Sequence, residues 1–343
     1  MAVGGLLFIL AVAALYPLTL RLASQIHAYR AKNHLLKGHY GLASINLEKA
    51  HACQPADYSI LNELGEVYHR LGELVPRPKE AWSYALKAKE ITLKAVRLNP
   101  LDAESAYGLA RAEARLEQLY SHLHPGERTN PHQPLPYYEQ ALRLRPNGIF
   151  YHYALALYLY QHDRQEDLLR IVRNLARVYP PVYPYLKKEK FWSPTVRDAV
   201  KQGLEQAVVE GISPRDAHKA LSSLFAGDKA LPEAITHYEK ALLFRAFENS
   251  AGDFIHLGRL HLKNGAIEEA EDFFIKGLAR SRARERDLEG LYHVYKNEGL
   301  LERLQAFYDR VRNQFRLSGR MDLLTARSLI ELKQYNQARR ILM

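Results

Sequence analysis

Residues 61–68 read LNELGEVY, and the same spacing of two large apolar residues, a glycine and an aromatic residue returns as FIHLGRLH at residues 254–261. Residues three and four positions apart lie on one face of an α-helix, so the apolar residues of each stretch form a single packing face. Gly65 and Gly258 sit within that face, where a missing side chain lets a neighbouring helix come close. Both stretches are therefore predicted to be helices that pack tightly against the next helix of the chain.

A second pattern marks the partner helix: a small residue, a large apolar residue four positions later, another small residue three positions after that, and in the first copy a closing proline. It occurs twice, as Ala43, Leu47, Ala50 and Pro55 and as Ala270, Phe274 and Gly277. Between the helices, turn positions recur at separations of 34 residues, at Gly265, Gly299 and Lys333. A fixed period of this length indicates helical hairpins that stack on one another.

These spacings resemble those of the tetratricopeptide repeat family, whose first helix carries W-x2-L-G-x2-Y and whose second carries A-x3-F with a closing proline. The resemblance implies an all-α fold, a right-handed superhelical solenoid of about eight helix-turn-helix units. It also implies a concave groove that holds a peptide or a helix of a partner protein. We therefore expect a non-enzymatic, protein-binding scaffold.

The composition narrows the remaining classes. The chain has 343 residues, of which 47% are hydrophobic and 25% charged, and these figures exclude fibrous and fully disordered proteins. Alternating Val, Ile and Thr segments, which would indicate strands, are almost missing. The single cysteine, Cys53, excludes an internal disulfide and a Cys-rich zinc or iron–sulfur site.

The first twenty residues form a separate segment, because Ala2 to Leu20 contains no charged residue. A helix of this length covers about 29 Å, close to the ~30 Å hydrocarbon core of a bilayer. Residues 1–20 are therefore predicted to be one transmembrane anchor helix. A cleaved signal peptide is the alternative, but it would begin with Lys or Arg, and residues 1–5 contain neither.

Positive charge follows the predicted span at Arg21, Arg30, Lys32 and Lys37, and none precedes it. The positive-inside rule then places the repeats in the cytoplasm, on the inner membrane of a bacterium. The alternative is a solenoid that faces the periplasm.

Three irregular stretches interrupt the repeat. Between Gly72 and Pro100 the chain is about 11 residues longer than the repeat allows, and VPRPKEAW there predicts a loop or an extended helix. Between Ala110 and Pro146 it is about 12 residues longer, and HLHPGERTNPHQPLP predicts a projecting loop. Residues 179–194, YPPVYPYLKKEKFWSP, are too rich in proline for one helix and predict a hinge before a helix from about Thr195 to Glu210. The predicted domains are the anchor at 1–20, a repeat block at 21–180, the hinge and its helix at 181–213, and a second repeat block at 214–343.

Motifs for chemistry are missing from the sequence. His122, His124 and His132 have a spacing that metal ligands can have, but without a supporting carboxylate pattern the cluster is interpreted as part of a solvated loop. Glycine-rich phosphate loops, metalloprotease motifs and nucleophile elbows do not occur. No catalytic, cofactor-binding or metal-binding residue is predicted.

The resemblance identifies inward-facing positions on the first helix of each unit as the partner-binding groove. On this chain they are Asn62, Glu66, Arg70, Tyr107, Arg111, Phe150, Tyr153, Leu157, Tyr160, Arg259 and Lys263, with His69 and Arg115 on the same face. A polar and basic stretch thus flanks an aromatic one, and Tyr and Arg are enriched at binding hot spots. The alternative for the aromatic residues is internal packing against the hinge, whose own Tyr183 and Trp192 need partners.

Charge favours an acidic partner over a basic one, since the net charge is +10 and residues 276–343 hold 15 basic and 8 acidic residues. Because no nucleic-acid motif accompanies this charge, proteins, membrane-complex subunits and the membrane itself are the predicted partners. The anchor leading directly into repeats is similar to the arrangement in bacterial lipopolysaccharide assembly proteins. That family carries a Cys-rich, rubredoxin-like module, which a chain with only Cys53 cannot form. The alternatives are a component of envelope polysaccharide or secretion machinery and an accessory subunit that stabilises a membrane enzyme complex.

Overall fold

The protein is described by a computed structural model that covers the backbone of residues 2–125, 130–244, 249–315 and 320–343, with side chains except those of 2–14, 320 and 321. Within these residues the secondary structure is helical throughout. The helices are α1 (Ala2–Leu36), α2 (Tyr40–Cys53), α3 (Tyr58–Leu74), α4 (Pro78–Leu98), α5 (Ala103–Leu123), α6 (Leu135–Leu144), α7 (Ile149–Gln161), α8 (Gln165–Val178), α9 (Tyr183–Leu186), α10 (Pro194–Glu210), α11 (Pro214–Gly227), α12 (Leu231–Leu243), α13 (Ala251–Lys263), α14 (Ile267–Arg280), α15 (Arg284–Asn297), α16 (Leu301–Phe315), α17 (Arg320–Glu331) and α18 (Tyr335–Leu342).

Consecutive helices pack as hairpins, and this confirms the prediction of an all-helical repeat fold. The chain divides into two compact units, residues 1–171 and 172–343, with the division inside α8. Unit 1 holds the hairpins α1–α2, α3–α4 and α5–α6, and then α7 with the first half of α8. Unit 2 holds the extra helix α10 and the hairpins α11–α12, α13–α14, α15–α16 and α17–α18.

The turns of unit 2 explain the 34-residue spacing. Gly265, Gly299 and Lys333 all have a left-handed backbone, with φ of 81°, 71° and 61°. Glycine adopts this conformation without strain, and it ends one helix and redirects the chain into the next. Each turn position was identified from its spacing alone.

Close approach of the paired helices explains the glycines of the repeat pattern. A Cβ added at Gly65 would lie 2.5 Å from Cγ2 of Thr92 on α4, and one at Gly258 would lie 2.6 Å from the ring of Phe274 on α14. Neither position has room for a side chain. The pattern of a glycine on the first helix and a filling residue on the second is thus a direct packing contact.

Unit 2 has an aromatic core. Tyr292, Tyr295, Phe307 and Tyr308 are fully buried beside Phe274. Inside this core the carboxylate of Glu271 accepts hydrogen bonds from Arg303 and Arg310, each at 2.8 Å. The buried charge is therefore compensated by two guanidinium groups that reach it from the surface.

Many of the extra residues in the two insertions of unit 1 lie in helices that are longer than the repeat requires. α4 and α5 have 21 residues each, where α2 has 14. The loop after α5 differs from the prediction of a solvated, projecting loop, because His132 is buried and its Nδ1 lies 2.8 Å from the Glu113 carboxylate. Lys89 pairs with the other oxygen of Glu113 at 2.8 Å. This end of the loop is therefore held against α4 and α5.

The proline-rich stretch forms a 3₁₀ turn at Pro180–Val182, the short helix α9 and an irregular segment that leads into α10. Ser193 caps α10 by accepting a hydrogen bond from the Val196 backbone N–H at 3.3 Å. The rings of Tyr183 and Trp192 pack edge to face with centroids 6.0 Å apart. The two hinge aromatics therefore have each other as partners within unit 2.

The predicted anchor lies in α1, but the side chains of residues 1–14 fall outside the described part of the chain. Among the described residues, no helix combines the length and apolar character that a membrane crossing requires. The C-terminal half of α1 packs on α2, where Ala31 is fully buried and Ser24 Oγ donates to the carbonyl of Ala50 at 3.0 Å.

Candidate partner-binding groove of unit 1

Two side-chain caps and one amide set the positions of α3 and α5, the first two helices of the candidate groove. Asp57 caps α3 by accepting from the Ser59 N–H at 3.0 Å, and Asp102 caps α5 by accepting from the Ser105 N–H at 2.8 Å. Asn62 connects the two helices, because its Nδ2 donates to Asp102 at 2.8 Å and its Oδ1 accepts from Ser105 Oγ at 2.9 Å. These contacts hold the pKa of Asp102 below its usual range, although burial opposes its ionisation. Asn62 thus has a structural task in addition to its place on the groove.

Charged side chains form a paired network across the same two helices. Glu66 accepts from Arg70 at 3.0 Å and also from Arg111 on α5, and Arg70 makes a second pair with Glu73 at 3.0 Å. All of these groups except Arg111 are substantially exposed, so each pair contributes little to stability. The network leaves its charges available to exchange partners with a ligand.

A hollow of about 500 Å³ opens beside this network and is bordered by α3, α5, α6 and α7. Its lining residues are His69, Glu73, Tyr107, Arg111, Ala114, Arg115, Glu117, Gln118, Ser121, His122, Tyr138, Ala154, Leu157, Tyr158, Gln161 and His162. A second hollow of about 430 Å³ shares Tyr107 and Arg111 with it and is bordered by Asn62, Glu66 and Thr92. Together the two hollows, here called the groove, extend along the inward faces of α3, α5 and α7.

Tyrosine rings form the apolar part of the groove. Tyr107 and Tyr138 have ring centroids 6.2 Å apart, and Tyr138 and Tyr158 have centroids 5.6 Å apart. The guanidinium of Arg111 lies over the ring of Tyr107 at 5.6 Å, a cation–π distance. Burial, the charge of Glu117 and a hydrogen bond to its carboxylate raise the pKa of Tyr158 to about 12, so this hydroxyl stays protonated.

His69 and Arg115 hold polar atoms that lack partners. Nε2 of His69 lies 3.2 Å from Glu73, while its buried Nδ1 has no partner among the described residues. Burial first, and then the charge of Arg111, lowers the pKa of His69, so its ring is neutral at pH 7. Arg115 donates to Gln118 at 2.6 Å and to the Gly72 carbonyl at 3.3 Å, and its buried Nε is unpartnered in the described part of the chain. Both unpartnered atoms are buried, so neither is exposed on the surface of the groove.

The structure places the predicted groove residues in three groups. Asn62, Glu66, Tyr107, Arg111 and Leu157 border the groove, and Arg70 touches its edge through Glu66 and Glu73. Phe150, Tyr153 and Tyr160 share α7 with Leu157 but do not border the hollows, and Phe150 is 77% exposed. Arg259 and Lys263 are exposed on α13, which belongs to unit 2.

Tyr138, Tyr158, Glu117 and His162 border the groove but were not among the predicted residues. Tyr138 lies on α6, the second helix of its unit, which the family pattern does not direct inward. Tyr158 and His162 follow Leu157 and Gln161 directly in sequence, so a wider inward arc for the first helix would have included them. Of His122, His124 and His132, only His122 borders the groove. The described side chains contain no set of three His, Cys, Asp or Glu residues arranged around a common metal position.

Comparison with known proteins gives similarity of fold alone. No protein-family model matches the chain, and no curated protein is similar in sequence. Among solved structures, a tetratricopeptide repeat protein from Parabacteroides merdae shares 16% identity over 81% of this chain and 99% of its own, with a TM-score of 0.35. A human IFIT1 dimer with PPP-AAAA shares 17% identity over 95% and 93%, with a TM-score of 0.31. MamA from Desulfovibrio magneticus RS-1 shares 14% identity over 76% and 97%, with a TM-score of 0.25.

Proposed function

We propose that this protein is a non-enzymatic scaffold that binds a partner protein in the groove of unit 1. The observation that carries the proposal is the groove itself, an open channel lined by tyrosine rings and by largely exposed ion pairs. The tyrosine rings can bury apolar area of a partner, and the arginine side chains can donate directional hydrogen bonds to it. Tyrosine and arginine are both enriched at protein-binding hot spots. A peptide or a helix of a partner has the width to lie along such a channel.

We further propose that residues 1–20 anchor the scaffold in the inner membrane of a bacterium, with the repeats in the cytoplasm. The uncharged run from Ala2 to Leu20 and the four basic residues after it support this arrangement. The anchor would hold the groove beside other membrane proteins, which makes subunits of membrane complexes the expected partners.

Site-specific photocrosslinking in native membranes tests the binding function. A photoreactive residue at Gln161, which borders the groove, is expected to give discrete crosslinked products. The same residue at Arg143, exposed on α6 away from the lining, is the matched control and should give none of them. Equal products from both positions, or none from Gln161 with folded protein, would show that the groove does not bind partners.

Cysteine labelling tests the orientation. Lys79 is exposed at the start of α4, so Lys79→Cys in a Cys53→Ala background provides one accessible thiol. In intact spheroplasts an impermeant maleimide should leave this thiol unlabelled until the membrane is opened. Labelling of intact spheroplasts would instead support the periplasm-facing alternative.

A further inference from the structure

Over residues 15–36, where its side chains are described, helix α1 has two apolar faces, and only one of them is covered. The covered face packs on α2 through Ser24 and Ala31. On the opposite face, six large apolar side chains are between 43% and 79% exposed, and we call them the outer stripe: Leu15, Leu18, Leu22, Ile26, Tyr29 and Leu36. At 3.6 residues per turn these six positions fall within an arc of about 80°.

The spacing within the outer stripe is that of helix–helix packing. Leu15, Leu22, Tyr29 and Leu36 are seven residues apart, and Leu18 is three residues after the first of them. A seven-residue apolar repeat keeps one seam of a helix facing a second helix along its whole length. This pattern suits a second helix that runs alongside α1.

Lipid cannot cover the whole stripe if α1 crosses the bilayer through residues 1–20, as proposed above. Tyr29 and Leu36 are nine and sixteen residues past Leu20, which places them about 14 and 24 Å beyond the end of the span. The headgroup layer on one side of a bilayer is only about 5–8 Å thick. A protein helix that continues out of the membrane beside α1 can cover these residues.

The basic residues beside the outer stripe indicate which kind of helix can pack on it. The first 47 residues contain Arg21, Arg30, Lys32 and Lys37 and no Asp or Glu. These cations border the stripe on both sides, Arg21 and Lys32 on one and Arg30 and Lys37 on the other. A second copy of α1 would bring like charges together, whereas acidic residues on a partner would pair with them across the seam.

We propose that the outer stripe is a docking seam for an amphipathic helix with acidic borders, belonging to a membrane-embedded partner protein. The inference rests on the proposed anchor, which orients α1, and it concerns a surface separate from the groove. The protein then has two binding surfaces: the seam beside the bilayer and the groove on the inward faces of α3, α5 and α7.

A synthetic probe tests the seam on the full-length protein in nanodiscs of phosphatidylcholine. The probe is a fluorescein-labelled helix of three heptads with Leu at the a and d positions and Glu at e and g, and the control probe has Lys in place of Glu. We expect the Glu probe to bind at least about tenfold more tightly than the Lys probe. The affinity of the Glu probe should fall about tenfold when the protein carries Ile26→Ser/Tyr29→Ser. Leu42→Ser/Ile45→Ser removes two apolar residues of similar exposure from α2 and should change affinity less than about twofold.

Circular dichroism confirms that each variant is folded. Equal affinity for the two probes, or an unchanged affinity in Ile26→Ser/Tyr29→Ser, would overturn the seam. Loss of Glu-probe binding when phosphatidylglycerol replaces part of the phosphatidylcholine would show that anionic lipid covers the stripe, which also overturns it. If the protein is not retained in nanodiscs, the anchor fails and the seam is measured in the same way in neutral detergent, so the two failures are distinguishable.

Discussion

Units 1 and 2 use the same glycine position in different ways. In unit 2, Gly258 lies against the large ring of Phe274, which joins a core of fully buried aromatic residues. In unit 1, Gly65 lies against Thr92, and Thr92 together with Gly108 borders the second hollow of the groove. In unit 1 the residue that packs against the glycine thus borders an open hollow, whereas in unit 2 it belongs to a closed core. The comparison teaches that the same repeat pattern can line either a closed core or an open hollow.

The largest effect is expected from emptying the sealed core. Phe274→Ala should lower the free energy of unfolding of unit 2 by about 3–5 kcal/mol, because the ring is fully buried and its loss leaves a cavity. Hydrogen exchange monitored by mass spectrometry should show faster exchange in α13–α16 and unchanged exchange in α3–α5. A loss below about 1 kcal/mol would show that the core of unit 2 repacks freely, and the contrast between the units would disappear.

Filling the open site is expected to have the next largest effect. Thr92→Phe forces a ring between Gly65 and Gly108, where a Cβ at either glycine would already lie within 3.1 Å of Thr92. Overpacking of this kind costs about 1–3 kcal/mol, measured by chemical denaturation. Thr92→Ser is the control, since it keeps the hydroxyl that donates to Ala88 O at 2.8 Å. Unchanged stability with Thr92→Phe would mean that the hollow has room for the ring.

Acid should destabilise the sealed unit through a histidine pair. His218 and His237 lie with their Nδ1 atoms 2.9 Å apart, and burial, aided by the charges of His218 and Lys240, lowers the pKa of His237 to about 4. The folded state keeps His237 neutral below the unfolded pKa of about 6.5. The stability of the folded protein is therefore complete above pH 6.5 and is lost progressively as the pH falls from 6.5 to 4. Because His237 is only half-buried, the expected loss between pH 7 and 4 is about 1–2 kcal/mol.

His237→Asn provides the matched variant for this pH dependence. It should reduce the slope of stability against pH between 6.5 and 4, measured by urea denaturation of unit 2 at each pH. An identical slope in His237→Asn would assign the acid sensitivity to other groups.

The smallest effect on stability, and the largest on binding, is expected at Arg111. Its pair with the exposed Glu66 contributes about 0.5 kcal/mol, so Arg111→Ala should leave the melting temperature nearly unchanged. The variant should nevertheless remove most crosslinking from the photoreactive residue at Gln161, because Arg111 borders both hollows. Arg143→Ala, an exposed arginine outside the groove, is the control. Loss of fold in Arg111→Ala would show that the groove residues are part of the core.

Much of the architecture could be predicted because it depends on local spacing. Glycine positions and the 34-residue turn period follow from how helices pair and reverse, and these constraints act between residues close in sequence. The insertions left alternatives open, because VPRPKEAW predicts a loop or an extended helix, and the structure has a short connection at 75–77 followed by the 21-residue α4. His132 shows the same limit, since its burial depends on Glu113 and Trp82 from other helices.

By itself, the sequence determined the helical hairpins, the inward register of α3 and α5 and the apolar run at the N-terminus, because periodicity and charge are properties of the chain. Only the tertiary structure decided which inward residues border a cavity and which surface of α1 stays uncovered. Tyr138 joins the groove from a second helix, whereas Phe150 does not border the hollows although its position in the repeat is equivalent to that of Ser59, which does. The reason is that a cavity is the space between several helices, and its shape depends on side chains that no single segment contains.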